Sequence, residues 1–244
     1  KKICDAIDES LIEKLPKIIA SDEPSGFVSK ETAAWLGIPE GAPVSSGGGD
    51  NMMSAIGTGA VKSGTLTMSM GTSGTLYGFS DSSVSDPTEG ISGFCSSSGG
   101  YLPLLCTMNC TVASEEIRML LNLDVKEFDV EAEKSKPGCE GVFVLPFFNG
   151  ERTPNLPHGK ASITGLTVAN CSRANIARAA LESAVYSMRA GLDSFKKHGF
   201  TPKELRLTGG GAKSKVWRQI AADIMNLPVK VPVSPEAAAF GAAL

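Results

Sequence analysis

The clearest patterning in the chain is Thr65-Leu66-Thr67-Met68-Ser69-Met70, whose period of two puts Leu66, Met68 and Met70 on one face of a strand. Gly71-Thr72-Ser73-Gly74 and a second β-prone run, residues 75–79, follow, which predicts a hairpin with a glycine at each corner of its turn. The helical period is plainest further on. Ile176, Ala177, Ala180, Leu181, Ala184, Val185, Met188, Leu192 and Phe195 form one stripe, predicting the longest helix over 173–197, opened by Ser172 and ended by Gly199. Residues 80–92 are polar and loop-like, and 93–109 are strand-like with a break at Gly99-Gly100. Residues 112–121, with Thr111 as a cap, and 125–134 predict helices. Residues 141–146 predict a strand apolar on both faces. Past the long helix, a strand over 205–208 runs into Gly209-Gly210-Gly211-Ala212, then a helix over 214–225, a strand over 229–231 and a last helix from near Glu236. Upstream of the hairpin lie a short helix, Asp8 to Leu15, broken by Pro16, a brief strand over 26–28, and a helix over 30–36 capped by Ser29 and ended by Gly37. An antiparallel hairpin followed by alternating strands and helices makes the fold class α/β, antiparallel at its start and parallel in its continuation.

One stretch carries two readings, and taken alone the plainer one, an N-cap after a glycine-rich turn, is preferred. Pro43-Val44-Ser45-Ser46 is short and β-prone, stops at Gly47-Gly48-Gly49, and is followed by Asp50-Asn51 and a helix to about Ala60. Glycines let a ligand approach the backbone. Asp50, at the strand-to-helix junction, reads equally as an N-cap and as a carboxylate facing a cleft. The Gly71–Gly74 turn carries the same two readings: a tight turn, or backbone N–H groups and two hydroxyls holding phosphate oxygens. The strand, glycine turn and helix at 205–225 form an anion or nucleotide seat. It is neither a Walker A loop nor GxGxxG. Glu151-Arg152, leaving the end of a buried strand, is a site candidate whose plainer reading is a surface salt bridge.

Composition narrows the chemistry. Of 244 residues, 42% are hydrophobic and 20% charged, enough apolar material for one large or two modest domains. The net charge of −3 comes without a basic block, which argues against nucleic acid as a partner. No secretory pattern and no bilayer-length apolar run is seen, which argues against a membrane and points to the cytoplasm. Six cysteines without CxxC read as free thiols. Two histidines give poor support to a metal cluster or a Ser-His-acid triad. Lys1–Ile7 reads as the end of a helix without its start and Ala237–Leu244 as a helix stopped midway, so the expectation is part of a longer protein.

The ordered set GGGDN (47–51), GTSG (71–74), NGERTP (149–154), Gly165-Leu166 leading to Asn175–Glu182, and TGGGAKS (208–214) resembles the FGGY carbohydrate kinases, and within them the xylulokinase branch. The resemblance covers nearly the whole chain. It implies an actin-like, ribonuclease-H-like fold of two lobes around a cleft. Residues 1–61 would be the tail of the first lobe and 62–244 most of the second. The family's DxGT phosphate motif matches no aspartate here, so most of the first lobe is expected to be missing and the isolated fragment inactive.

The resemblance also implies roles. Asp50 matches the catalytic base, Asn51 a ligand of sugar hydroxyls, Gly71, Thr72 and Ser73 the hairpin on the ATP phosphates, and Gly210, Gly211 and Ala212 the adenosine motif. ATP and Mg²⁺ are the implied cofactors and a small-molecule sugar the partner; a homodimer rests on analogy. Glu151 and Arg152 match a family motif, as an ion pair in the cleft wall or as ligand contacts. D-xylulose is the favoured substrate over L-ribulose, L-fuculose, gluconate or glycerol. The reading from a different class is an actin-like nucleotide-binding module without transfer chemistry.

Overall fold

A computed structural model describes residues 2–234 and 236–244. The chain forms two compact units, Lys1–Gly48 and Gly49–Leu244.

The first unit contains α1 (Lys2–Ile7), α2 (Leu11–Lys14), β1 (Pro24–Phe27), α3 (Lys30–Leu36) and β2 (Pro43–Ser45). The single helix expected over 8–15 is shorter, because Asp8 accepts from the Ser10 N–H and makes a turn ahead of Leu11. In α3 the Ser29 side chain accepts from the Thr32 N–H, and Gly37 closes the helix in the left-handed region at φ 69°. β1 and β2 pair antiparallel.

The second unit comprises α4 (Asp50–Thr58), β3 (Thr65–Met70), β4 (Gly74–Gly78), β5 (Ile91–Ser92), β6 (Leu104–Thr107), α5 (Thr111–Leu120), α6 (Val125–Glu133), β7 (Phe143–Leu145), β8 (Ser162–Thr164), α7 (Arg173–Lys197), β9 (Glu204–Thr208), α8 (Lys215–Met225), β10 (Val229–Lys230) and α9 (Ala237–Ala243). Six strands make one sheet in the order β10-β9-β3-β4-β6-β5. β10, β9 and β3 run parallel, and the pairs from β3 to β5 are antiparallel, as the hairpin-then-alternation pattern predicts.

The two faces of this sheet differ in chemistry. Leu66, Met68, Met70, Leu76, Leu105, Leu205 and Leu207 pack into the main core with the apolar stripe of α7 and with Trp217 and Ile220 of α8. Small residues permit close approach. A Cβ on Gly191 of α7 would lie 2.9 Å from Leu105, and one on Gly74 would lie 2.0 Å from the Met188 methyl. The opposite face carries Thr67, Ser69, Thr75, Tyr77 and Thr208, held side by side by the pairings Thr67↔Tyr77, Ser69↔Thr75 and Ser69↔Thr208. On this hydroxyl-rich face lies α4. It crosses α9 so closely that a Cβ on Gly57 would sit 2.0 Å from the Ala237 carbonyl oxygen.

Three local expectations are corrected. The strand over 141–146 is shorter and only half-buried: Val144 faces α7, but Phe143 is exposed, because the strand pairs with β8 alone. The 93–109 stretch yields only β6, preceded by isolated bridges at Cys95 and Tyr101. Thr111 does not cap α5. Cys110 holds that position without a side-chain bond, and the N–H groups of Cys110 and Thr111 donate to the carbonyls of Thr72 and Gly71. No described helix is long and apolar enough to cross a membrane.

Candidate active site

Asp50 opens α4 as its first helical residue, and Gly49, not Asp50, occupies the N-cap position. Its side chain is therefore not spent on capping. Oδ1 accepts from the Asn51 backbone N–H at 2.8 Å and from Asn51 Nδ2 at 3.1 Å. Among the described residues Oδ2 has no hydrogen bond, and the carboxylate is exposed. The positive end of the helix dipole suits a negative charge there.

Helix α4 is fixed to the sheet at positions i, i+3 and i+7, the spacing of one helical face. Asn51 Oδ1 accepts from Thr75 Oγ1 at 3.4 Å, Ser54 Oγ accepts from the Tyr77 phenol at 2.8 Å, and the hydroxyls of Thr58 and Thr67 share a 2.8 Å hydrogen bond. Asn51 thus bridges the sheet to Asp50. Burial pushes the Tyr77 phenol up to about 12, with the nearby Asp50 charge adding to it, so the phenol stays protonated and donating at neutral pH. None of these sheet positions stood out in the sequence; the alternation that marks β3 also marks them, but not which helix they receive.

A hollow of about 180 Å³ is lined by Asp50, Asn51, Ser54, Ser69, Tyr77, Thr208 and Gly209 together with Ala237 and Ala238. A larger one, about 540 Å³, is lined by Leu207–Gly210, Ala212, Lys213 and Arg218 and by the 231–234 segment with Glu236. The two share Thr208 and Gly209. The glycines after β9 divide the work. Gly209 has φ 83°, and a Cβ there would be 2.7 Å from the Met70 carbonyl oxygen; on Gly211 it would meet Met70 and the Trp217 ring at 2.9 Å. Gly210 has nothing within 4 Å of its Cβ direction and opens onto the larger hollow. Of the three residues expected to seat the nucleotide, Gly210 and Ala212 line this hollow, while Gly211 is buried against Trp217.

Gly71, Thr72 and Ser73 form the β3–β4 turn, with the Thr72 and Ser73 side chains exposed. They line neither hollow, but the turn begins one residue after Met70, against whose backbone Gly209 packs. Its carbonyls anchor it to the start of α5.

Glu151 and Arg152 form no ion pair among the described residues. Glu151 is buried, and its carboxylate accepts from the Met108 N–H at 2.6 Å, Asn109 Nδ2 at 3.0 Å and the Arg152 N–H at 2.7 Å. Asn109, also buried, donates to the Gly150 carbonyl. The pair fastens the 149–153 loop to the chain after β6.

Residues 59–244 match the C-terminal domain of the FGGY family of carbohydrate kinases, and residues 1–57 match its N-terminal domain. The chain belongs to this family. It is 47% identical over 95% of its length to a xylulose kinase of Haemophilus influenzae and 39% identical over 94% to one of Streptomyces rubiginosus. The solved xylulose kinase of Bifidobacterium adolescentis superposes on 94% of the chain with a TM-score of 0.82 at 36% identity. The FGGY chain spans 47%, 45% and 45% of these three proteins respectively. Its α/β unit, with the mixed sheet, has the actin-like, ribonuclease-H-like architecture of the family's sugar kinases.

Proposed function

We propose that the protein carrying this chain phosphorylates a sugar hydroxyl with ATP, and that the sugar is D-xylulose, giving D-xylulose 5-phosphate and ADP. The observation that carries the reading is the adjacency of the two hollows: Asp50 lines one, Gly210 and Ala212 line the other, and Thr208 and Gly209 line both. The name shared by the relatives favours xylulose over L-ribulose, L-fuculose, gluconate or glycerol.

A sugar hydroxyl is a weak nucleophile. Asp50 Oδ2 takes its proton as the sugar oxygen bonds to the γ-phosphorus and the bond to the ADP oxygen breaks. Asn51 orients that carboxylate from its Oδ1 side and keeps one Nδ2 hydrogen for a sugar hydroxyl. The turn at Gly71, Thr72 and Ser73 presents two exposed hydroxyls for phosphate oxygens. Gly210 and Ala212 leave the backbone bare for the nucleoside, and buried Gly211 holds their turn against Trp217. The residues lining the larger hollow fit a nucleotide. Mg²⁺ is different: no group of three or more acidic, histidine or cysteine side chains able to hold a metal stands together among the described residues, and no step here runs through the ion. Residues 1–61 and 62–244 serve as the end of the first lobe and the body of the second.

The test is sugar-dependent ADP release by the whole protein across a panel of ketopentoses and polyols, with Asp50→Asn alongside. D-xylulose gives the highest kcat/KM. The variant loses about 10²–10⁴-fold in kcat, the range of a lost general base, with its fold intact. Turnover by Asp50→Asn at the unaltered rate ends the base assignment. A nucleotide-binding protein that releases no ADP with any sugar is the module without transfer chemistry.

A further inference from the structure

We propose that the Thr208 hydroxyl donates a hydrogen bond to a phosphate oxygen of the bound nucleotide, at the seam between its seat and the Asp50 hollow. This inference rests on the kinase reading and adds a contact from the sheet itself, beyond the β3–β4 turn.

Thr208 is the last residue of β9 and is 7% exposed. Its Oγ1 is buried and has no hydrogen-bond partner among the described residues. A buried hydroxyl without a partner costs free energy, and folded proteins rarely leave one. Position shows what is missing. Thr208 pairs across the sheet with Ser69, on the face that receives α4, and it lines both hollows. Among the described residues the other buried hydroxyl without a partner is that of Thr107. Its Oγ1 lies beside Gly74 and lines neither hollow.

The chemistry of the partner follows from what must cross the seam. The nucleoside lies toward Gly210 and Ala212, and the acceptor hydroxyl toward Asp50. The phosphate chain spans the two and passes Thr208. The hydroxyl is a donor, and a phosphate oxygen is a charged acceptor, which makes this the stronger kind of hydrogen bond. Gly209, immediately after it, exposes no side chain that would block the approach.

The experiment compares Thr208→Val, which has nearly the same shape but no donor, with Thr208→Ser, which keeps the hydroxyl. Calorimetry on the whole protein measures adenosine, ADP and a non-hydrolysable ATP analogue. The valine variant is expected to bind the triphosphate analogue about tenfold more weakly, as for a lost bond to a charged group. Adenosine affinity stays within about twofold, and the serine variant recovers most of the loss. In turnover the defect appears in the KM for ATP or in kcat, and not in the KM for sugar. Unchanged triphosphate affinity in the valine variant overturns the proposal and leaves the hydroxyl to a water. An equal loss for adenosine and triphosphate also overturns it, because the role is then structural. Should the valine variant fail to fold, Thr208→Ala is read by the same differential. Nucleotide binding reports on Thr208 even if no sugar is phosphorylated, so this inference and the kinase reading fail separately.

Discussion

The Tyr77 phenol donates a 2.8 Å hydrogen bond to the hydroxyl of Ser54, one helical turn beyond Asp50. Tyr77 is fully buried and its ring is part of a small core with Ala55, Leu102 and Leu104. The bond therefore ties a rigid point of the sheet to the helix that aims the carboxylate. Tyr77→Phe keeps the ring and removes the bond. About 1 kcal/mol of stability is lost, which lowers Tm by about 2–4 °C in a domain of this size. The kcat falls roughly three- to tenfold through a less well-held Asp50, far less than in Asp50→Asn. Thermal denaturation and steady-state kinetics on the same preparation check both parts.

Gly209 and Gly210 are neighbours with opposite expected responses. Alanine at 209 must hold φ 83° and place its methyl 2.7 Å from the Met70 carbonyl oxygen. Strain and overpacking together cost about 2–4 kcal/mol. Alanine at 210 meets no atom within 4 Å, so stability is nearly unchanged while the methyl narrows the larger hollow. Gly210→Ala is expected to show a normal Tm with weakened ADP binding, and Gly209→Ala a depressed Tm. Equal thermal stabilities for the two variants contradict this division.

Much of the fold was legible because its signals are local. Ser172 caps α7 through the Asn175 N–H, and the stripe that predicts 173–197 is the buried face of that helix. The alternation of 65–70 and the glycines at 71 and 74 likewise specify strand, turn and strand. What escaped depends on distant partners. Thr111 is a good capping residue, but the N–H groups at the start of α5 are satisfied by a turn some forty residues earlier. Phe143 continues an apolar run, yet one neighbouring strand is too little to bury both of its faces. In the site, Asp50, Asn51, Gly210 and Ala212 were named from sequence motifs, and the structure puts them around two hollows that share Thr208 and Gly209. Tyr77 and Ser54 were not, and Thr208 was only the first residue of a motif with no role of its own, because a hydroxyl looks the same whether it meets water, a neighbouring element or a ligand.

Glu151 is expected to be a stability residue. The residue is 2% exposed, and its carboxylate accepts four hydrogen bonds, from Met108, Asn109, Arg152 and Thr153. Glu151→Gln replaces one acceptor oxygen by an NH₂ group that faces donors. The loss is about 2–3 kcal/mol, the scale of hydrogen bonds to a charged group. Chemical denaturation shows it as a lower midpoint with an unchanged slope. A variant as stable as the parent but unable to bind nucleotide would restore Glu151 as a ligand contact.

Glu204 governs part of the acid response. It stands at the start of β9 between Arg206 and Lys230 and also accepts from the Thr65 hydroxyl at 3.4 Å. The hydrogen bond from Lys230, then that from Arg206, holds its carboxyl below its ordinary value of 4.5. A depressed folded-state value means that the unfolded chain binds the proton more readily. The stabilisation is therefore whole above about pH 4.5 and is lost as the pH falls through the lower folded value. Glu204→Gln removes this proton-linked part. Tm measured from neutral pH down to roughly pH 3 should fall less steeply for the variant than for the parent, and the two curves should converge at the acid end. Parallel curves over that range mean that the ion pairs at the β9–β10 edge contribute nothing to folding.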